Sequence, residues 1–278
     1  MEFSLKRKPH KRKSKKWVDR FGNWLMPLSS LFAIIIWYLV TRWSDLPAFI
    51  LPAPDMVLRR FWIALMDGTL IRHSSATLLE VALGLISGSF LATILGYLLA
   101  KSFTLERLLS PYLVASQAIP IVAIAPLMVI WFGPGLFSKV LIAALIVFFP
   151  ILVNTVVGVR AVPQELRDLM GSLHATRRQT LRYLEIPAAL PVFLGGLRIG
   201  ATLSVIGAVV GEFVGADRGL GFLINVGRGQ YDTALVFVAV IALVLMALGL
   251  YGCVVVLEHK LLVWQHGPGK DTLLEKMD

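Results

Sequence analysis

Apolar runs long enough to cross a lipid bilayer divide this chain, and they restrict its fold more than any other feature. A spanning helix needs about 20 predominantly apolar residues. Hydrocarbon leaves a crossing backbone only two forms, helix or closed barrel, because nothing there can satisfy free N–H and C=O groups. Runs of helical length fall at about 24–41, 76–100, 111–132, 136–159, 189–214 and 234–257. The expected fold is therefore an all-α membrane protein with six transmembrane helices. Composition agrees, since 57% of the 278 residues are hydrophobic and only 16% are charged, against about 25% charged in soluble domains.

One stretch between the fourth and fifth runs departs from this apolar background. Residues 163–191 hold Glu165, Arg167, Asp168, Arg177, Arg178, Arg182 and Glu185. Charge at that density cannot sit in hydrocarbon, where each ion costs several kcal/mol, so the stretch lies in water. It is also patterned: Leu166, Leu169, Met170 and Leu173 recur at helical spacing. A short helix over 165–174 is expected to lie along the membrane surface, with that apolar side toward a partner and Arg167 and Asp168 at its rim. Pro187 and Pro191 interrupt the hydrogen-bond ladder where the next span begins. A plain connection would need a handful of residues, and more than twenty spent here suggest that something docks.

Four regions follow from this reading: a basic tail at 1–23, a first span with an external interfacial helix at 24–75, a core transmembrane unit at 76–258 containing the polar loop 160–188, and a second tail at 259–278. Val57, Leu58, Phe61, Trp62 and Leu65 give the interfacial helix its apolar face. Nine of the 27 Lys and Arg residues lie in the first twenty positions. Directly before an apolar run, they read as an anchor on anionic lipid rather than a nucleic-acid surface. With six spans, nineteen basic residues fall on the side of both termini and the polar loop, and seven on the other: Arg42, Arg59, Arg60, Arg72, Lys139, Arg218 and Arg228. Both termini and the polar loop are thus assigned to the cytoplasm. Trp24, Trp43, Trp131 and Trp264 sit near run ends, as an aromatic belt requires.

Chemistry within the runs is sparse. There is no P-loop, no Gly-x-Ser-x-Gly and no histidine spacing that would hold a metal. Cys253 reads as a small buried hydrophobe. Pro120 and Pro126 break the third run, which is tolerable only where neighbours or water satisfy the freed carbonyls. They therefore mark either a kink beside a cavity or a bent packing helix. Gln117 and Asn154 suit helix–helix hydrogen bonds. Arg198 lies one or two turns inside the fifth run, near enough to snorkel. Glu80 and Glu212 are expected at the interface. Gln117, Pro120, Pro126, Asn154, Arg198 and Glu212 form the candidate pathway and gating set. With few buried carboxylates expected at mid-membrane, an ion-coupled carrier has little to work with, and energy would enter through the polar loop.

At this point the residues resemble a known family. The polar loop is similar to the EAA loop of permease subunits of bacterial ATP-binding cassette (ABC) importers, which has a Glu-Ala-Ala start, a glycine six residues on and a Leu-Pro-type end. Anchored on Ile186-Pro187, the register puts Asp168 at the acidic position and His174 at the glycine position, two departures from the pattern. A second register, with Glu165 as the acid and Gly171 as the glycine, fails the proline spacing. Leu51-Pro52-Ala53-Pro54, Pro120 through Gly133, Gly195-Gly196-Leu197-Arg198 and Gly219-Leu220-Gly221 resemble the nitrate, sulfonate and taurine permease branch. Residues 118–232 look closer still to permeases for vitamins or pyrimidine precursors, including riboflavin. The resemblance implies a type I importer (MetI-like) permease fold, non-catalytic and in the bacterial inner membrane, with no cofactor of its own. It further implies a second permease copy, cytoplasmic ATPases that bind ATP and Mg, and an extracytoplasmic binding protein. The docking residues it implies are Glu165, Leu166, Arg167, Asp168, Leu169, Met170, Leu173, His174 and Pro187. A stand-alone secondary transporter or channel is the reading of another class.

The charge asymmetry makes a prediction about topology. In a Cys253→Ser background, a cysteine placed at Ser14 will not react with a membrane-impermeant thiol reagent in intact cells, and will react once the membrane is opened.

Overall fold

The computed structural model describes the backbone of residues 15–44 and 46–263 and the side chains of 28–44 and 46–263. The side chains of the basic amino-terminal residues and of Trp24, and the tail from 264 with Trp264, lie outside the described residues. Everything described is helix joined by short turns. The helices are α1 (Lys15–Trp43), α2 (Pro54–Met66), α3 (Thr69–Lys101), α4 (Phe103–Gln117), α5 (Ile121–Phe132), α6 (Leu136–Arg160), α7 (Gln164–Ser172), α8 (Arg177–Thr180), α9 (Ile186–Gly215), α10 (Leu220–Gly229) and α11 (Thr233–Leu261).

Local chemistry accounts for the boundaries. Ser102 caps α4 by accepting from the Leu105 N–H, Thr176 and Gln179 form a capping box on α8, and Asp232 accepts from the Leu235 N–H at the start of α11. Each side chain satisfies a donor that the helix itself leaves free. Gly133 takes a left-handed φ of 82° and turns α5 into α6. Pro54 enters the first turn of α2, where its missing N–H costs nothing.

α6 is the axis of the molecule, with α3 on one flank and α9 on the other. Lipid tails are as apolar as leucine, so such packing is driven by close van der Waals approach and not by removal of apolar surface from water. Small residues permit that approach. A Cβ added at Gly88 of α3 would stand 2.6 Å from the Ala144 carbonyl oxygen of α6, and one at Gly207 of α9 would stand 2.6 Å from the Ala143 Cα. Ala143 and Ala144 are thus pinched from both sides.

Among the described residues, four helices are long and apolar enough to cross a membrane: α3, α6, the continuous segment Arg177–Gly215 and α11. The third run differs from expectation. It is not one kinked helix but two, α4 and α5, meeting at 94°. Pro120 disfavours helical backbone at Ile119 and has no N–H of its own, so α4 ends at Gln117 and Pro120 becomes the residue before α5. Pro126 and Pro191 are instead absorbed inside α5 and α9. Counted as one crossing, the bent pair makes a fifth span. The apolar part of α1 described here, Leu28–Trp43, is shorter than a full crossing. α1 meets the body through Trp37, which stacks on Phe237 at 5.3 Å and donates its indole N–H to the Pro52 carbonyl at 3.1 Å.

α2 packs on α11 and α3 through Val57, Phe61, Ala64 and Leu65, while Leu58 and Trp62 of the expected apolar face remain exposed. Cys253, expected to be buried, is also exposed, on the outer surface of α11.

The pinch at α6 sets a test. Gly207→Ala is expected to destabilise the protein by about 1–3 kcal/mol through overpacking, lowering its melting temperature in detergent. Gly249→Ala on α11, which has nothing within 4 Å, will leave that temperature unchanged.

Candidate functional site

The expected surface helix forms as α7. Glu165 falls in its first turn, where a carboxylate complements the helix dipole. Gln164 donates to Asp168 at 2.9 Å, which fixes the outer side of that turn. The helix stops in a Schellman-type geometry: the Ala175 N–H reaches back to the Met170 carbonyl at 3.0 Å, and His174 takes a left-handed φ of 51°. Glycine adopts that conformation without steric cost. The left-handed demand thus falls on position 174, while Gly171 sits inside the helix.

One side of α7 is apolar and open. Leu166, Leu169 and Leu173 are 42%, 54% and 68% exposed, and Met170 is half-buried. The other side is fastened. Arg167 does not stand at a rim: its guanidinium turns inward, donating to the Val159 carbonyl at 2.8 Å and lying 3.6 Å from Glu185. Glu185 is 2% exposed and also accepts from the Tyr97 hydroxyl at 3.2 Å and from the Lys101 ammonium. One carboxylate therefore joins the surface helix, the end of α3 and the root of α9. A buried acid with several donors is stable only as a set, because loss of the acceptor strands its partners. Nearby, Arg160 grips Glu106 with two bonds, at 2.8 and 2.6 Å, and donates to the Leu99 carbonyl at 3.1 Å.

Glu185 closes a π turn, Leu181–Glu185, in which the Ile186 N–H bonds the Leu181 carbonyl. Pro187 follows at once and has no N–H to offer, so the widened turn lies where the regular ladder is already interrupted. Such turns frequently mark functional sites.

The opposite end of the helices holds a second charged cluster, contrary to the expectation that Glu80 and Glu212 lie at the interface. Both are buried, at 2% and 1% exposure. Glu80 accepts from Lys139 of α6 at 3.0 Å, and that lysine, counted from the sequence among the basic residues of the outer side, is buried with it. Glu212 accepts from the Thr77 hydroxyl at 2.6 Å and from the Gly221 N–H. Three successive N–H groups leading into α10 are taken by side chains: Gly219 by His73 Nδ1 at 3.0 Å, Leu220 by Thr77 Oγ1 at 2.7 Å, and Gly221 by Glu212. Gly219 has φ 119°, and a Cβ there would fall 2.1 Å from Glu212 Oε1, which explains the Gly219-Leu220-Gly221 sequence. A cavity of about 950 Å³ opens beside this cluster, lined by Arg72, Glu80, Lys139, Asp217 and Arg218 among others.

The remaining pathway candidates do not converge. Gln117 and Pro120 are exposed at the α4–α5 break, and Pro126 is exposed on α5. Asn154 donates to the Pro150 carbonyl of its own helix at 2.8 Å and packs against Gly196 of α9, so its hydrogen bond is intrahelical and its interhelical role is steric. Arg198 does not snorkel freely; it pairs with Glu258 of α11 and lies over the Tyr251 ring. Sequence reasoning missed His73, Thr77, Tyr97, Lys101, Glu185 and Glu258 as partners. A signal was present for two of them, since His73, Thr77 and Glu80 recur at one helical face.

Known proteins sort this geometry into a class. A chain of the methionine ABC transporter MetNI, solved in inward-facing conformations, shares the fold with TM-score 0.62 at 20% identity, covering 70% of this chain and 97% of that one. That likeness defines a class of fold, an all-helical bundle. The family model described as the binding-protein-dependent transport system inner membrane component matches residues 88–263, and the chain belongs to that family. It is accordingly a non-catalytic ABC transporter permease subunit with several membrane-crossing helices. It is 50% identical over 240 residues to the riboflavin transport system permease RibX of Chloroflexus aurantiacus, covering 86% of this chain and 90% of that protein. It is 37% identical to the formylaminopyrimidine transport permease ThiX of Halalkalibacterium halodurans, covering 84% and 93%, and 34% identical to the taurine permease TauC of Escherichia coli, covering 84% and 86%.

The Glu185 junction gives a direct test. Glu185→Ala will speed amide hydrogen exchange across Gln164–Ser172 at least tenfold, which corresponds to about 1.4 kcal/mol, while exchange in the middle of α6 stays as it was.

Proposed function

We propose that this chain forms the solute pathway of an ABC importer and carries it through the plasma membrane as one of two permease copies, in the simplest case identical. Its α7 is the docking element for a cytoplasmic ATPase. The observation that carries this reading is the two-sided character of α7: three leucines face outward without cover while Arg167 holds the opposite side to Glu185 and Val159. Each leucine buried in an ATPase groove would contribute about 1.5–3 kcal/mol. The rigid attachment behind them would pass a movement of the ATPase pair to α3 and α9 as a body. ATP and Mg would be bound by that partner and not by this chain.

The excess of lysine and arginine supports the orientation in which both termini and α7 face the cytoplasm. The end carrying α10 and the Glu80–Lys139 cluster would then receive solute from an extracytoplasmic binding protein. Riboflavin is the favoured solute, supported by the relative named for it at 50% identity over most of both chains. A related vitamin or pyrimidine precursor is next, supported by ThiX. A sulfonate, taurine or nitrate permease is the second reading, which the taurine permease at 34% identity favours.

Two measurements test this. Leu169→Asp will leave the permease inserted but reduce ATPase co-purification at least tenfold and abolish solute-stimulated ATP hydrolysis; full stimulation in this variant would remove α7 as the docking element. Cells expressing the complete transporter will accumulate labelled riboflavin, and uptake of taurine instead would establish the second reading.

A further inference from the structure

Two cavities meet on the α7 side of the helices. One is an apolar groove of about 430 Å³ between α3, α6 and the root of α9, walled by Ile94, Leu98, Val159, Ile186, Leu190 and Phe193 among others. Ile94, Leu98 and Ile186 are about half exposed, so the groove opens outward. Its two threonines do not make it polar. Thr93 donates to the Ser89 carbonyl and Thr155 to the Ile151 carbonyl, each at 2.7 Å and each within its own helix. The other cavity is polar, about 520 Å³, and is lined by Tyr97, Lys101, Ala175, Arg177, Thr180 and Glu185. Tyr97 and Glu185 wall both, so the apolar groove leads directly into the polar pocket.

We infer that this pair of cavities binds one anionic phospholipid of the adjoining leaflet, an acyl chain in the groove and the phosphate between Lys101 and Arg177. The charge at the mouth selects the occupant. Glu185 is already engaged by Lys101, Tyr97 and Arg167. Arg177 is exposed and makes none of the ion pairs found among the described residues, so the pocket keeps an excess positive charge. Lys101 ends α3, and Arg177 begins the long segment that enters the membrane as α9. Both cations therefore stand at the level where a headgroup would lie, and the groove runs from there toward the hydrocarbon. Anionic headgroups are drawn to such juxtamembrane cations. A second copy of the chain could lay an apolar helix in the groove, but it would leave Arg177 at the mouth without a counter-charge. The inference requires only that α3, α6 and α9 cross a bilayer, and so stands apart from the assignment of solute or ATPase.

Native mass spectrometry of the full-length chain, purified with its accompanying subunits in mild detergent, tests it with phosphatidylglycerol and phosphatidylcholine as probes. The unaltered protein will retain phosphatidylglycerol at least tenfold better than phosphatidylcholine. Arg177→Glu, an exposed substitution, will remove that preference. Ile94→Trp, which fills the groove, will lower retention of both lipids about tenfold. Equal retention of the two lipids by the unaltered protein overturns the inference, and so does unchanged retention in either variant. Competition by soluble glycerol 1-phosphate at the same concentration as the lipid also overturns it, because the groove would then contribute nothing. Efficient disulfide crosslinking of Leu98→Cys between two copies would give the groove to the partner chain and overturn it as well.

Discussion

The close contact of α6 with α3 and α9 is the constraint on which the rest of this structure depends. In hydrocarbon there is little reward for bringing one apolar side chain against another, so helices stay together through near-backbone contact and a few polar bonds. Gly84 and Gly88 of α3 and Gly207 and Gly211 of α9 remove the atoms that would keep the three backbones apart. Once the three helices are fixed, both ends of the bundle are fixed, and the charged clusters at each end can form. α4, in which no residue is buried, and the outer face of α11 lie outside this unit and are left for lipid or another chain.

The polar bonds are placed where they reinforce that unit. At one end Glu80 and Lys139 tie α3 to α6, and Glu212 with Thr77 ties α9 to α3 while holding the start of α10. At the other, Glu185 ties α9 to α3 and to α7. Each junction spans elements far apart in sequence. Breaking a buried pair leaves one charge without compensation and costs more than the pair itself contributes, so the junctions favour one arrangement over many. A rigid three-helix body fastened at both ends is suited to move as a whole.

Four of the six expected spans, the polar loop and its short helix were legible in the sequence because each rests on periodicity and on the exclusion of charge from hydrocarbon. The family resemblance was legible through four short motifs in the right order. The interruption at Pro120 could be seen, but its angle could not, since a proline says where a ladder fails and not which way the chain then turns. The buried charges were misread for a related reason. Glu80, Lys139 and Glu212 each lie near the end of an apolar run, and position along a run places a residue at the surface by default. Only the pairing of α3 with α6 and α9, a matter of tertiary contact, reveals that they face one another. Arg167 was misjudged likewise: one helical face predicts exposure of the leucines, but nothing local shows that an arginine on the opposite side meets an acid eighteen positions later.

The π turn at Leu181–Glu185 has an evolutionary reading. It holds one more residue than an α-helix would over the same length, and a regular helix turns by about 100° for each residue. Loss of a single codon there would let the segment relax into an unbroken helix. Everything preceding it, including Arg177 and the link to α7, would then swing by roughly a quarter of a turn relative to the spans. Changes in chain length at this point would therefore be heavily selected against.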